Sequence, residues 1–118
     1  MVAYVGGKEM EKLESVAQFA RLLEENRCFF LLKHSLTCPI SQAAFEEYES
    51  FANDYGEIDY YYLAVQEARP LSDHIAETFH VKHESPQAIL FNQENVAWHA
   101  SHWKITAETL AKAVESEI

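Results

Sequence analysis

Short apolar runs separated by helical patterns are the feature that most constrains the fold of this chain. Residues 28–33 (CFFLLK), 59–65 and 87–91 are rich in aliphatic and aromatic side chains, and their length predicts strands buried on both faces. A fourth run, residues 96–100, follows the polar stretch 92–95, which indicates a hairpin. Because helices connect the first three runs, we expect parallel pairing there and an antiparallel piece at the end.

Helical patterns predict four helices between and after these runs. Ser15 opens a capping box before the first helix, and Thr106 is a suitable cap for the last. Pro39 suits the first position of the second helix, which would run to about Tyr55, and the third covers residues 71–80. The positions expected to face the core are Val16, Phe19, Ala20 and Leu23, then Ala43, Ala44, Tyr48 and Phe51, then Leu71, Ile75 and Phe79, and finally Leu110 and Val114.

The resulting order is β-α-β-α-β-α-β-β-α, with residues 8–13 as a candidate edge strand. This order predicts an α/β fold in which a central mixed sheet of four to five strands is flanked by helices. The chain has 118 residues, few glycines and prolines, and no internal repeat, so we expect residues 1–118 to form one domain.

Charge and hydropathy exclude several classes of partner. The formal net charge is -10, from 9 Lys+Arg against 19 Asp+Glu, which argues against binding to a nucleic-acid backbone. No apolar run is long enough to cross a bilayer, and residues 1–12 lack the pattern of a secretory signal. We therefore expect a cytoplasmic protein without a membrane partner, in which the two cysteines are free thiols.

The strongest chemical signal is Cys38-Pro39, at the junction between a predicted strand and a predicted helix. The first turn of a helix leaves backbone N–H groups unpaired, and its dipole favours negative charge. We therefore predict a lowered pKa for Cys38 and a role as the nucleophile in disulfide exchange, with Lys33 and His34 as further sources of positive field. The alternative is a buried structural cysteine, because free cysteine is among the most buried residue types.

Cys28 carries a different prediction, since it opens a buried strand. An extended strand over residues 28–33 spans ~17 Å. A disulfide needs Cα atoms within about 7 Å of each other, so Cys28 is not expected to pair with Cys38 inside one folded chain. We interpret Cys28 as a packing residue.

Two pairs of histidines, His80 with His83 and His99 with His102, have the spacing of one helical turn. The first pair falls at the end of a predicted helix, and His99 falls in a predicted strand. Neither pair supplies the four ligands of a structural zinc site, so no metal is predicted.

Three segments resemble the YtxJ-like monothiol bacilliredoxins, the bacilliredoxin C type of the thioredoxin-like superfamily. They are 32-LKHSLTCPIS-41, 69-RPLSDHIAETFHVKHESPQAIL-90 and 97-AWHASHWKIT-106. The resemblance implies a thioredoxin-like fold in which Pro86 is a cis-proline that precedes the final hairpin and faces Cys38. The backbone of Ser85 would then pair with an extended thiol substrate.

The resemblance also implies a reaction with bacillithiol, a low-molecular-weight thiol that carries a malate group. Cys38 would attack a protein–bacillithiol mixed disulfide and take the bacillithiol onto itself, so that the client thiol leaves reduced. Bacillithiol would be a thiol co-substrate, with no bound cofactor. A second small thiol or a disulfide reductase must then clear Cys38.

Ser41 stands where a dithiol enzyme carries its second cysteine, and it has two interpretations. Its hydroxyl could donate a hydrogen bond to the Cys38 thiolate and so take part in catalysis. Alternatively, it is an ordinary exposed serine of the first helical turn.

Other residues near the thiol are expected to bind substrate. Besides Ser85 and Pro86, the candidates are Thr37, Pro39, His102, Trp103 and Lys104. His102 and Trp103 would form one wall of the groove. The malate carboxylates would meet backbone N–H groups at the start of the last helix, with Lys104 or His102. Packing is the alternative role for Trp98 and Trp103.

Two rival functions also fit a single thiol at a helix start. By analogy with monothiol glutaredoxins, two chains could share an iron–sulfur cluster with small thiols as extra ligands. The chain could also be a thioredoxin-like interaction module with an inert thiol. The oligomeric state is left open by the sequence, and a monomer is the default expectation.

Overall fold

The computed structural model describes residues 10–117, which form a five-stranded sheet with helices on both faces. The strands are β1 (Met10–Lys12), β2 (Cys28–His34), β3 (Asp59–Ala64), β4 (Gln87–Asn92) and β5 (Asn95–Ser101). The helices are α1 (Val16–Glu25), α2 (Pro39–Asp54), α3 (Arg69–Phe79) and α4 (Ala107–Glu117), with a short 3-10 helix at His102–Lys104. The predicted edge strand at residues 8–13 is present as β1, and residues 8 and 9 lie outside the described part of the chain.

The strand order across the sheet is β1-β3-β2-β4-β5. The first three of these strands are parallel, and β4 and β5 form the expected antiparallel hairpin. The mixed sheet is therefore confirmed. One detail of the prediction is wrong, because β4 runs antiparallel to β2 although α3 precedes it. The loop after α3 returns the chain to the end of the sheet where β2 finishes, so β4 starts there and runs in the opposite direction.

Two cores cover the two faces of the sheet. On the face under α1 and α3, the ring of Phe29 stacks on Phe91 at 5.0 Å and meets Phe19 edge-on. On the face under α2 and α4, Phe30 stacks on Tyr60 at 5.8 Å. Each fully buried ring of this kind contributes roughly 1.5–3 kcal/mol. Strands β2 and β4 are buried on both faces, as their apolar runs predicted.

The helix boundaries agree closely with the sequence patterns. The capping box at Ser15 is formed, and the hydroxyl of Thr106 accepts the N–H of Thr109 at the start of α4. Helix α3 begins two residues earlier than predicted, with Pro70 in its first turn. The prediction that Ala20 faces the core is wrong. Ala20 is exposed, and Leu22 is buried in its place because it lies one turn after Phe19.

The strand register places four chain segments at the same end of the sheet, where β2, β3 and β5 finish and β4 begins. Lys33, next to the end of β2, pairs with Gln87 at the start of β4, and Gln87 pairs with Ser101 at the end of β5. His34, the last residue of β2, pairs with Ala64 at the end of β3. At this end of the sheet, the loops that follow β2, β3 and β5 therefore meet the loop that precedes β4. Among residues 10–117, no helix has the length and apolar character needed to cross a membrane.

Candidate active site

Cys38 is the residue that caps the start of α2. Its backbone is extended, with φ -105° and ψ 122°, and Pro39 occupies the first turn of the helix. The carbonyl of Cys38 accepts the N–H of Gln42 at 3.2 Å, so the helix begins directly at the cysteine. A sulfur on this residue lies where the unpaired N–H groups of the first turn converge.

The first turn of α2 lowers the pKa of the Cys38 thiol. The backbone N–H of Ser41 contributes most, partial burial opposes it, and the N–H of Ile40 and the Ser41 hydroxyl add to the lowering. These donors stabilise the thiolate, which is the nucleophilic form. Lys33 and His34 were expected to add positive field at the thiol, but neither is among the groups that lower its pKa. Both side chains are buried, and burial lowers both of their own pKa values.

Ser41 is fully buried, which rules out the interpretation as an exposed serine. Its Oγ accepts a hydrogen bond from the backbone N–H of Ser35 at 3.3 Å. The same hydroxyl contributes to the lowered pKa of Cys38. Ser41 thus links the loop before the cysteine to the helix that follows it.

Gln66, in the loop after β3, holds the other side of the cysteine loop, and sequence reasoning missed it. Its side-chain oxygen accepts the backbone N–H of Leu36 at 3.1 Å. Its amide nitrogen donates to Ser35 Oγ at 2.9 Å and reaches Thr37 Oγ1 at 3.5 Å. Thr37 is exposed beside Cys38.

The loop before β4 carries the Ser85–Pro86 peptide bond, which is cis. The carbonyl of Pro86 accepts the backbone N–H of His102 at 3.0 Å, which fastens this loop to the end of β5. Glu84 Oε1 lies 3.4 Å from His102 Nδ1, so the side chains of the same two segments also meet. Among the described residues, the buried Ser85 Oγ has no hydrogen-bond partner.

A groove of about 270 Å³ lies between the first half of α2 and the 3-10 helix. Ile40, Ala43, Glu46 and Glu47 line it from α2, while His102 and Trp103 line it from the other side. Trp103 is 71% exposed, so its ring is available to a ligand rather than packed in the core. His102 and Trp103 therefore border a groove that Ile40, two residues after Cys38, also lines, and their contact with a thiol ligand stays a prediction. Lys104 is exposed and is not among the residues that line the groove.

The start of α4 is not an open anion site, and this part of the prediction is wrong. The N–H of Ala107 donates to Glu47 Oε1 at 2.8 Å, and the N–H of Thr109 donates to Thr106 Oγ1 at 3.1 Å. The carboxylate of α2 therefore already occupies the place that was expected to receive malate. Of the predicted malate contacts, the side chains of His102 and Lys104 are what the structure leaves accessible.

Cys28 lies at the far end of β2 from the site. Its side chain is partly buried against the core under α2 and α4, and burial raises the pKa of its thiol. Both cysteines are free, as expected. Within residues 10–117, no group of three or more His, Cys, Asp or Glu side chains is arranged to hold a metal ion.

Thioredoxin-like thiol oxidoreductases are the class of protein that this sheet and this cysteine define. The model of the monothiol bacilliredoxin BrxC family matches residues 11–110, and the chain belongs to that family.

Solved structures show the same fold. One, described as "A putative oxidoreductase with a thioredoxin fold", is 45% identical with a TM-score of 0.84, covering 89% of this chain and 93% of its own. A cysteine-to-serine mutant of an Entamoeba histolytica thioredoxin is 18% identical with a TM-score of 0.72, covering 92% and 99%. Spinach chloroplast thioredoxin f is 16% identical with a TM-score of 0.73, covering 99% and 98%. The last two show the fold alone.

Proposed function

We propose that this protein removes bacillithiol from protein mixed disulfides, with Cys38 as the catalytic nucleophile. The observation that carries the proposal is the single activated thiol at the start of α2, with the buried Ser41 at the position of a second cysteine. Membership of the monothiol bacilliredoxin family supports bacillithiol as the transferred thiol.

The reaction requires two exchanges at Cys38. In the first, the Cys38 thiolate attacks the bacillithiol sulfur of the mixed disulfide, a new disulfide joins Cys38 to bacillithiol, and the client thiolate leaves and takes up a proton. In the second, the thiolate of another bacillithiol attacks the sulfur of the bound one. Oxidised bacillithiol then leaves and the Cys38 thiolate is restored. A disulfide reductase that supplies two electrons can replace the second bacillithiol.

Binding is proposed to use both sides of the thiol. The Ser85 backbone, next to Pro86, would pair with the extended cysteinyl part of the mixed disulfide, with Thr37 and Pro39 beside it. The groove between α2 and the 3-10 helix would receive the rest of the bacillithiol, against Trp103. His102 and Lys104 would meet the malate carboxylates, and Ser41 would assist the Cys38 thiolate.

We further propose that the chain acts as a single-domain monomer in the cytoplasm, where a reducing environment keeps Cys38 available. Its partners would be bacillithiolated proteins and free bacillithiol. No bound cofactor, metal, nucleic acid or membrane enters the scheme.

Intact-mass spectrometry tests the proposal directly. Reduced protein is mixed with a bacillithiolated client, beside the variants Cys38→Ser and Cys28→Ser. The proposal requires the wild type and Cys28→Ser to gain one bacillithiol while the client loses it, and Cys38→Ser to do neither. If no transfer occurs while Cys38 is free, the proposal fails, and visible absorbance of anaerobically purified protein would then test the cluster-carrier function.

A further inference from the structure

A lysine is buried close to the site, at the end of the central strand β2. Lys33 is 0% exposed, and its Nζ donates to the carbonyl of Ser72 at 3.0 Å. The same Nζ lies 3.3 Å from Nδ1 of His83, and the hydroxyl of Ser72 lies 3.2 Å from that nitrogen. We call Lys33, Ser72, His83 and Gln87 the Lys33 cluster.

Lys33, Ser72 and His83 have a consistent pattern of donors and acceptors, whereas the buried Oε1 of Gln87 has no hydrogen-bond partner among the described residues. Burial lowers the pKa of His83, and the nearby charge of Lys33 lowers it further, so the imidazole is kept neutral. A neutral imidazole whose proton is on Nε2 presents Nδ1 as an acceptor. Nδ1 then accepts from Lys33 Nζ, and the Ser72 hydroxyl lies beside the same nitrogen. Ser72 is itself fully buried, so its hydroxyl serves this contact rather than a substrate.

Burying an amine at the end of a core strand is costly, which calls for a reason. Burial lowers the pKa of Lys33 to about 8, partly offset by Asp73. Apolar residues fill most of the sheet interior around it, and a buried polar network is less stable than a packed apolar one unless it is fully satisfied.

The position of the cluster supplies that reason. Lys33 pairs in register with Gln87, the residue directly after Pro86. The side-chain nitrogen of Gln87 donates to the carbonyl of Lys82 at 3.0 Å, while Lys33 holds His83. Lys82 and His83, two consecutive residues of the loop before Ser85–Pro86, are thus each bound by a side chain of the sheet, from β4 and β2 respectively.

We propose that Lys33 is a positioning residue for the thiol reaction, which fixes the loop carrying Ser85 and Pro86 through His83 and so sets how tightly a mixed disulfide is held. This inference rests on the proposed function for the identity of the transferred thiol, whereas the contacts by which Lys33 holds the loop do not depend on it. Lys33 acts at a distance from the chemistry. Stabilisation of the Cys38 thiolate comes from the first turn of α2.

The variant Lys33→Met removes the amine and keeps an unbranched side chain. We expect kcat/KM for a bacillithiolated client to fall about 10-fold, mainly through KM, because displacement of a binding loop weakens ground-state and transition-state binding together. The pH profile of Cys38 alkylation should stay unchanged. Lys112→Met, on the exposed face of α4, is the matched control and should leave every readout unchanged.

Amide hydrogen exchange gives a readout that does not depend on activity. In Lys33→Met, residues 84–88 should exchange faster, while the second half of α2 keeps its protection. His83→Leu should reproduce both effects, and the double variant should be no worse than either single one, because the two residues act as a unit. His83→Leu also decides the question if Lys33→Met does not fold.

Three outcomes would overturn the inference. One is a kcat/KM within two-fold of wild type together with unchanged exchange of residues 84–88. Another is a shifted alkylation profile, which would mean that Lys33 acts on the thiol by its charge. The third is strictly additive effects of Lys33→Met and His83→Leu. If the wild type transfers no bacillithiol, the proposed function fails, and the exchange comparison still judges the role of Lys33.

Discussion

The hydroxyl oxygen of Ser41 accepts the backbone N–H of Ser35 at 3.3 Å, so the residue at the position of a resolving cysteine has a structural partner of its own. It is fully buried one helical turn after Cys38 and contributes to the lowered pKa of that thiol. A monothiol site therefore differs from a dithiol site by more than one missing sulfur. The serine joins the cysteine loop to α2 and stabilises the thiolate without being able to form a disulfide.

Ser41→Cys should convert the protein to a dithiol enzyme. Residues three apart in the first turn of a helix have Cα atoms about 5 Å apart, within the range of a disulfide. The new thiol should attack the Cys38–bacillithiol adduct and release bacillithiol without a second small thiol. Intact mass should show loss of two hydrogens and no adduct, whereas Ser41→Ala keeps the adduct. A stable adduct on Ser41→Cys would contradict this.

The reaction rate of Cys38 should follow its lowered pKa. As pH falls through that pKa, the thiolate is protonated and the rate of alkylation by iodoacetamide drops. The midpoint should lie below that of an ordinary cysteine. In Ser41→Ala it should move upward but stay below the ordinary value, because the N–H groups of residue 41 and Ile40 remain. A wild-type midpoint at the ordinary value would exclude helix-start activation.

Local patterns made the catalytic cysteine predictable, because its environment is built from its own neighbours. Cys38 and Pro39 define a helix start, and the donors to the thiolate come from Ile40 and Ser41, two and three residues after the cysteine. Capping at Ser15 and Thr106 was predictable for the same reason. The periodicity of the apolar runs indicated the layers of the sheet, but it did not indicate the direction of β4, which depends on the loop after α3.

Contacts between residues far apart in the chain were not predictable. Lys33 meets partners 39 and 50 positions away, so its sequence position beside the cysteine loop suggested a field at the thiol that the structure does not provide. Glu47 covers the N–H of Ala107, 60 positions away, and thereby closes the anion site that the α4 pattern suggested. Gln66 carries no local signal, because a single glutamine in a loop matches no motif.

Substitutions at the groove should distinguish bacillithiol from smaller thiols. With a bacillithiolated client, Trp103→Ala should raise KM several-fold by removing the exposed ring, and His102→Ala and Lys104→Ala should raise it by removing hydrogen-bond donors to malate. With the same client carrying 2-mercaptoethanol, all three variants should match wild type, because that adduct does not reach the groove. Lys112→Ala controls for net charge. Unchanged rates with the bacillithiolated client would remove these residues from the site.

The buried amine of Lys33 should make the stability of the fold rise with pH. Its pKa is about 8 in the folded protein against an ordinary value of 10.5, so between these values the unfolded chain binds more protons than the folded one. The cost of burying the charged amine is fully present below pH 8 and is lost as pH rises through 10.5. Between pH 7 and 10 this adds ~2.5 kcal/mol to the free energy of unfolding of wild type relative to Lys33→Met.

Denaturant unfolding of the two proteins at pH 7, 8.5 and 10 measures this difference. Ionisation of the buried tyrosines is common to both proteins and cancels in the comparison. Lys112→Met should follow wild type at every pH, because Lys112 is exposed. If the difference in free energy of unfolding between wild type and Lys33→Met stays constant from pH 7 to 10, Lys33 in the folded protein keeps its charge over this range to the same extent as in the unfolded chain. Its contacts with Ser72 and His83 would then fully offset the loss of hydration.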